Sequence, residues 1–195
     1  MTIAFVLGNG QSRQHLNLAH LKNCGMIYGC NALYRDFTPD VLVATDKPIA
    51  EAIQASGYPL SNRFYTRRPL PQQGALALLD KYRGYSSGPN AVGLAAQDHH
   101  HHIYLLGFDM GPTAENLFNN IYASTEFYKS KQHPPTFTGN WVKQIREICG
   151  DFPEIKFFRV CGSTTAKIAE FNSIKNLEHL DLAIFLDRIN NLKDL

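Results

Sequence analysis

The sequence predicts an α/β domain built on a single Rossmann-like, doubly wound and mostly parallel sheet. Short apolar segments without polar alternation recur along the chain, as is typical of parallel strands that helices cover on both faces. Helical patterns separate most of these segments, and the repeated order of strand then helix is the pattern of a doubly wound sheet. The length of 195 residues suits one domain, so we expect a single nucleotide-binding domain over residues 1–195.

Six strands and five helices are predicted, the strands from apolar runs and the helices from apolar spacings of three and four residues. The predicted strands are Ile3–Leu7, Met26–Tyr28, Val41–Ala44, Arg63–Tyr65, Ile103–Leu106 and Lys156–Val160. The first four predicted helices are Lys47–Ala55, Gly74–Tyr82, Pro89–Asp98 and Trp141–Ile148. The tail, about 177–194, is predicted to be an amphipathic helix packed on its own domain, with an oligomer contact as the alternative.

Residues 111–138 show no clear periodicity and are rich in glycine, proline and asparagine. A loop of this length inside a compact domain is usually a lid, a binding loop or a disordered stretch. We expect a partly ordered lid inserted between the fifth strand and the next helix.

Composition and charge narrow the classes of partner. The net charge of +2 is too small to predict a nucleic acid or an anionic membrane as partner. There is no apolar run long enough for a membrane span, and the first strand follows the N-terminus without the basic region of a signal peptide. Four cysteines without paired or metal-binding spacing predict reduced thiols and a cytoplasmic location. Four consecutive histidines, residues 99–102, cannot share one face, so we expect a solvated turn rather than a metal site.

A glycine turn follows the first predicted strand, where phosphate-binding turns stand. Gly8 permits backbone angles that side chains prevent, and Gly10 permits close approach of the backbone to a ligand. Ser12 is placed either to cap the next helix or to bind a phosphate oxygen. The alternative is a plain tight turn between strand and helix.

Polar residues also follow the second and third strands. A dinucleotide-binding fold has the turn Gly-x-Gly-x-x-Gly and an acidic residue after its second strand. Here Arg13 stands at the third glycine and Asn31 at the acidic residue. A nicotinamide dinucleotide is therefore the least expected ligand. Asp46 follows the third strand. Because the carboxyl ends of parallel strands meet at one edge, we expect the glycine turn, Asn31 and Asp46 to converge on one crevice. The alternatives are a self-bonded loop residue for Asn31 and a helix N-cap for Asp46.

These motifs resemble the bacterial sialyltransferases of glycosyltransferase family 42, which use CMP-sialic acid. That family opens with a strand and Gly-Asn-Gly-Pro-Ser, where residues 8–12 read Gly-Asn-Gly-Gln-Ser; its second strand ends in Cys-Asn, as do residues 30–31. Its Thr-Ser-Gly block and the strand Ile-Tyr-Leu-Ser-Gly-Ile-Asp correspond to residues 86–88 and 103–109, at the same spacing. The resemblance extends from Ile3 to about Phe171. Archaeal pterin diphosphokinase-like proteins share the Gly-Asn-Gly-x-Ser turn more distantly.

The resemblance implies an inverting, CMP-sugar-dependent glycosyltransferase that needs no cofactor or metal. Its partners would be a nucleotide-sugar donor and an acceptor that the sequence does not identify; a homo-oligomer is left open, because the family often forms tetramers. The implied nucleotide-binding residues are Gly8, Asn9, Gly10, Ser12, Asn31, Asp46, Ser87, Gly88, Asp109, Gly162, Ser163 and Thr164. The last three are expected near the cytosine, with a helix directly after them.

The catalytic residues depart from the family pattern at three positions. The residues found there are Gly84 for an arginine, Gly111 for a tyrosine that helps the phosphate leave, and Thr136 for the histidine base. We expect His133, three residues before Thr136, to be the general base, because histidine titrates near neutrality. Tyr122 or Tyr128 is expected to aid the departure of CMP.

Two other functions stay open on the sequence. In a diphosphokinase like the pterin-kinase relatives, Asp46 and Asp109 would hold Mg²⁺. A nucleotide-binding module without catalysis would explain the missing arginine and tyrosine. Outside these motifs, Arg63, Arg67 and Arg68 either bind a phosphate or an acidic sugar or form a solvated basic loop. Trp141 either packs or stacks on an acceptor.

Overall fold

Parallel strands form one sheet in the computed structural model, which describes residues 2–192. The strands are β1 (Ile3–Leu7), β2 (Met26–Cys30), β3 (Val41–Ala44), β4 (Arg63–Thr66), β5 (Leu76–Ala77), β6 (His102–Leu106), β7 (Lys156–Cys161) and β8 (Leu177–Asp181). Their spatial order is β5-β4-β3-β2-β1-β6-β7-β8, and every neighbouring pair is parallel. The predicted doubly wound fold is confirmed.

Helices cover both faces of this sheet. They are α1 (Lys47–Ala55), α2 (Ser87–Gln97), α3 (Gly139–Asp151) and α4 (Leu182–Leu192). Along β1, Ala4 and Val6 pack into a core with α2 and α3, whereas Phe5 and Leu7 pack into a second core with α1 and α4. Because both faces are buried, the central strands are apolar at every position, as the sequence indicated.

The strand order reverses at β1. The chain adds β2 to β5 on one side of β1 and then β6 to β8 on the other. The loops after β1 and β6 therefore diverge, and this opens a crevice at the carboxyl ends of the strands, the usual ligand position in such sheets.

The predicted helix Gly74–Tyr82 is wrong. Leu76–Ala77 forms β5, which pairs with β4 at Tyr65 and Thr66, and Asp80–Tyr82 is a single 3₁₀ turn. A short apolar run does not distinguish a strand from a helix by its periodicity, and pairing with the sheet edge decides here.

The predicted tail helix is wrong over its first residues. Leu177–Asp181 forms β8, and α4 begins at Leu182; residues beyond 192 lie outside the described part. Leu177 and Leu180 are three apart, as on one face of a helix, but in a strand this spacing sends them to opposite faces and into the two different cores. The packing of the tail on its own domain is confirmed, because Phe185 and Ile189 are buried.

The solvated turn predicted at the histidine run is only partly correct. His99 and His101 are exposed, but His102 begins β6 and His100 is only 6% exposed. The Nε2 atom of His100 lies 3.0 Å from the Tyr28 hydroxyl, which donates to Asp98 at 2.6 Å. Because the only hydroxyl proton of Tyr28 points to Asp98, Nε2–H of His100 is the donor in this contact.

Residues 111–138 contain no helix or strand but are tied to the domain. The Ile121 N–H donates to the Asn9 carbonyl at 2.9 Å, and the Thr138 hydroxyl donates to the Met110 carbonyl at 3.1 Å. A closing motion of this segment stays a prediction.

No helix within residues 2–192 combines the length and the apolar character that crossing a membrane requires.

Candidate functional site

A cavity of about 260 Å³ lies at the carboxyl ends of the central strands, where the strand order reverses. We call it the switch-point cavity. Eight of the predicted binding residues line it, namely Gly8, Asn9, Gly10, Asn31, Asp46, Ser87, Gly88 and Asp109. The predicted convergence of the glycine turn, Asn31 and Asp46 is therefore confirmed.

The two glycines of the turn serve the packing of β1 against β6. A Cβ on Gly8 would lie 2.5 Å from the Gly107 carbonyl oxygen, and one on Gly10 would lie 2.4 Å from the carboxyl carbon of Asp109. The N–H of Gly8 donates to Leu106 at 2.8 Å, and that of Gly10 donates to Gly107 at 2.9 Å. Only glycine fits these close approaches, and they are made to the protein itself.

The amides that follow the turn are also engaged. The Gln11 N–H donates to the side-chain oxygen of Asn119 at 2.8 Å, and the Ser12 N–H donates to Asp109 at 3.0 Å. From residue 8 to residue 12, Asn9 alone keeps a backbone N–H without a partner in the described chain. The turn is therefore not a cradle of free amides for a phosphate.

Asp109 ties three loops together beneath the cavity. Its carboxylate is 3% exposed and accepts from the Ser12 N–H and hydroxyl, from the Asn119 amide at 3.1 Å, and from the Thr164 and Thr165 hydroxyls at 2.7 and 3.3 Å. Both oxygens are thus occupied by neighbouring donors. This carboxylate organises the site rather than presenting a free charge to a ligand.

A buried guanidinium supports the same loops from within the sheet. Arg159 on β7 is 1% exposed and donates to the carbonyl oxygens of Phe108, Asp109 and Ala166, each at 2.9 Å. Burial lowers its pKa, and the neighbouring Cys161 and Asp109 oppose that shift. Sequence reasoning missed this residue, although a lone arginine inside an apolar strand is a usable signal because buried charges need partners.

A chain of hydrogen bonds joins the ends of β2 and β3 to the start of α2. The buried hydroxyl of Ser87 donates to the Asn31 side-chain oxygen at 2.8 Å, and it accepts from the Thr45 N–H at 3.0 Å. Asn31 has a φ of +54°, a left-handed conformation that asparagine tolerates better than most residues. Its NH₂ group has no partner among residues 2–192 and so remains available to a ligand.

The first turn of α2 offers two free backbone donors. The helix begins at Ser87, two residues earlier than predicted, and neither the Ser87 nor the Gly88 N–H has a partner in the described residues. Ser86 at the N-cap does not cap with its side chain; its hydroxyl accepts from Trp141 Nε1 at 3.0 Å. Free amides and the positive end of the helix dipole favour an anion here.

Arg67 adds a positive charge to this end of the cavity, which it lines. Its Nε donates to the Arg83 carbonyl at 3.0 Å, and its Nη2 donates to those of Gly84 at 3.1 Å and Tyr85 at 2.8 Å. Nη1 makes no bond within residues 2–192. Arg67 therefore holds the loop before α2 and keeps one donor group for a ligand.

Asp46 is the second carboxylate that lines the cavity. It occupies the N-cap position of α1, as one reading of the sequence predicted, yet its side chain makes no capping hydrogen bond. The residue is exposed, and its carboxylate has neither a hydrogen bond nor an ion pair in the described chain. Its environment is thus opposite to that of Asp109.

Cys30 also lines the cavity but is not a nucleophile. Burial raises the pKa of its thiol to about 12; the charge of Arg13 opposes this shift and that of Asp46 adds to it. The protonated thiol is unreactive at neutral pH.

None of the three predicted catalytic side chains lines the cavity. His133 is half-buried, and its Nδ1 lies 2.7 Å from the Pro134 carbonyl oxygen. Tyr122 is 6% exposed within the apolar core, where burial chiefly raises the pKa of its hydroxyl to about 12. The Tyr122 ring packs against that of Tyr128, with the ring centroids 5.7 Å apart, but neither Tyr122 nor His133 reaches the cavity lining, and their catalytic roles stay predictions.

Tyr128, the third, lies behind the glycine turn. Its hydroxyl accepts from the Asn9 amide at 3.4 Å and from the Ala32 N–H at 3.2 Å, and burial raises its pKa. The buried Arg13 holds the other side of the same amide, because its Nη2 donates to the Asn9 oxygen at 3.2 Å. Tyr128 and Arg13 therefore orient Asn9.

Residues 162–164 stand apart from the switch-point cavity. Gly162 and Ser163 line a separate groove, while the Thr164 hydroxyl binds Asp109. The expected helix after them is wrong: the Gly162 N–H donates to the Thr165 hydroxyl at 3.0 Å, and the backbone stays irregular up to the short 3₁₀ segment Ala169–Ser173. The Gly162 N–H, which would be free at the start of a helix, is therefore already used within this turn.

The magnesium pair of the kinase alternative is not preformed. Asp109 would have to release hydrogen bonds to bind a cation, and residues 2–192 contain no cluster of three or more His, Cys, Asp or Glu side chains arranged around a metal position.

Comparison with protein-family models, with curated proteins and with solved structures gives no match for this chain. The structure shows an α/β fold with a cavity at its switch point, and the likeness to the sialyltransferases stays a prediction.

Proposed function

We propose that this chain is a CMP-sugar-dependent glycosyltransferase that binds its nucleotide-sugar donor in the switch-point cavity. The observation that carries the proposal is that Ser87, Gly88 and Arg67 line one cavity, while the amides of the first two and the Nη1 of Arg67 have no hydrogen-bond partner in the described residues. Because these donors have no hydrogen-bond partner in the described residues, together they offer a site for an anion. The donor's phosphate is the ligand group that fits it.

This site suits a leaving phosphate as well as a bound one. When the bond from the sugar to the phosphate oxygen breaks, negative charge grows on the phosphate. Fixed N–H dipoles and a guanidinium stabilise that growing charge without reorganising. The same groups thus lower the energy of the transition state and not only that of the bound donor.

The remaining polar groups suit the rest of the donor. The free NH₂ of Asn31 can donate to a sugar or base oxygen, and Asn9 is held in one orientation by its neighbours. Trp141 lines the cavity with its N–H bound to Ser86, so its ring is fixed and offers a face for stacking.

Arg67 also accounts for one departure from the family pattern. The resemblance implies an arginine at position 84, where this chain has glycine. The guanidinium of Arg67 donates to the Gly84 carbonyl, so a positive charge stands beside that position. A different part of the chain then supplies the missing charge.

Calorimetric titration with CMP, UMP, AMP, ATP plus Mg²⁺ and NAD tests the proposal. We expect CMP to bind, and Arg67→Ala to weaken CMP binding at least about tenfold, since charged hydrogen bonds contribute about 1.5–3 kcal/mol. Arg146→Ala, on the exposed side of α3, is the matched control and should bind CMP like the wild type. Equal CMP affinity in Arg67→Ala would refute the phosphate position.

A nucleotide-binding module without catalysis is the second candidate. It is favoured by the absence of His133 and Tyr122 from the cavity lining. CMP binding without release of sialic acid from CMP-sialic acid would support it. Binding of ATP with Mg²⁺ alone would favour the diphosphokinase instead.

A further inference from the structure

A second opening adjoins the switch-point cavity beside α1. This groove of about 400 Å³, which we call the α1 groove, runs past Lys47, Glu51 and Leu70. Thr45, Asp46 and Arg67 line both the groove and the cavity. A second substrate in the groove would therefore meet the donor at these three residues.

Asp46 is the group at this junction that can take a proton. Of the two carboxylates that line the cavity, Asp109 is saturated with hydrogen bonds, whereas Asp46 is exposed and without a partner in the described chain. Arg67 at the same junction stays protonated and cannot act as a base.

The other candidate bases lie in less suitable places. Glu51 lines the groove but not the cavity, and its carboxylate is 3.8 Å from the ammonium of Lys47. His133 lines neither space. Cys30 is a buried thiol that stays protonated.

We infer that Asp46 is the general base that deprotonates the acceptor hydroxyl, which enters through the α1 groove; this inference rests on the proposed function. The acceptor oxygen attacks the anomeric carbon of the donor and forms the new glycosidic bond. The bond between that carbon and the phosphate oxygen breaks, and its electron pair leaves with CMP, next to Arg67 and the amides of α2. The proton of the acceptor hydroxyl passes to the carboxylate of Asp46 and then to water.

Asp46 can be replaced without an expected loss of folding. Its side chain makes no capping bond to α1, and asparagine is an equally good N-cap residue of the same size. The Asp46→Asn variant therefore removes the base and little else.

The test measures hydrolysis of CMP-sialic acid, in which water takes the place of the acceptor. We expect Asp46→Asn to lower the turnover about 10²- to 10⁴-fold, the usual contribution of a general base, while CMP affinity stays within threefold. Azide is a nucleophile that needs no deprotonation, so adding it to Asp46→Asn should restore turnover and yield the glycosyl azide. Asp80→Asn is the control, because that side chain is 98% exposed and lies outside both spaces.

Three results would overturn the inference: Asp46→Asn turnover within fivefold of wild type, a loss of CMP affinity as large as the loss of rate, or no rescue by azide. A collapse of turnover in His133→Ala with Asp46→Asn active would return the role to His133. Wild-type protein that neither binds CMP nor hydrolyses the donor would refute the proposed function and this inference together. A wild-type protein that is active, with Asp46→Asn equally active, would instead refute this inference alone.

Discussion

Replacing Asp109 in two ways separates its hydrogen bonds from its charge. One carboxylate oxygen accepts from the N–H groups of Ser12 and Asn119 and from the hydroxyl of Thr164. The other accepts from hydroxyls alone, those of Ser12 and Thr165. An asparagine can therefore place its oxygen at the first position and its NH₂ at the second, where both hydroxyls can rotate and accept.

The expected losses differ accordingly. Asp109→Asn keeps every bond and loses only the charge that acts on the buried Arg159, so we expect a cost of about 1 kcal/mol. Asp109→Ala removes the same charge and also leaves the Ser12 N–H without its acceptor, while Asn119 keeps only its longer contacts with the Pro112 and Thr164 carbonyls. The lost charge again costs about 1 kcal/mol, and the orphaned N–H together with the lost bonds of Asn119, Thr164 and Thr165 adds about 2–4 kcal/mol. We expect a total of about 3–5 kcal/mol for the alanine variant.

Urea unfolding of both variants and the wild type measures these differences. For a chain of this length the alanine variant should also melt about 6–20 °C lower. Asp80→Ala, an exposed aspartate, should change the free energy of unfolding by less than about 0.5 kcal/mol. Equal losses for Asp109→Asn and Asp109→Ala, or a loss below 1 kcal/mol in the alanine variant, would refute this account of the loops.

Two further predictions concern stability. Gly10→Ala should destabilise the fold by about 1–3 kcal/mol, because the new Cβ meets the Asp109 carboxylate. Gly150→Ala on α3 should instead stabilise the fold by up to about 1 kcal/mol, because nothing lies within 4 Å of the new Cβ. Opposite shifts of the two melting temperatures would confirm this, and equal shifts would contradict it. Burial lowers the pKa of His100 from its ordinary value of 6.5, against the opposing charge of Asp98, so below about pH 6.5 the unfolded chain binds more protons than the folded one. The free energy of unfolding should then fall between pH 7 and pH 5, and less steeply in His100→Gln; an unchanged slope in that variant would show that His100 is not the titrating group.

Much of the fold could be predicted because the relevant signals are local. β1, β3 and α1 have the bounds that their apolar patterns predict. The errors fell where a local pattern fits two structures. Leu177 and Leu180 are spaced as in a helix, but pairing with β7 makes the segment a strand.

Less of the candidate site was open to sequence reasoning. The crevice was predictable, since parallel strands deliver their carboxyl ends to one edge. The sequence did not reveal which side chain in the crevice is left without a partner. Asp46 and Asp109 both follow strands in the sequence, yet only the folded chain brings Ser12, Asn119 and Thr164 around one of them and leaves the other without a partner.

The sequence by itself determined the class of sheet and the place of the crevice, because strand patterns and glycine positions depend on near neighbours. The tertiary structure alone decided which polar groups remain for a ligand. The amides of the glycine turn are used by residues about one hundred positions away, while those of Ser87 and Gly88 are not. The anion site that we propose therefore belongs to the start of α2 and to Arg67, and the glycine turn holds the protein together beside it.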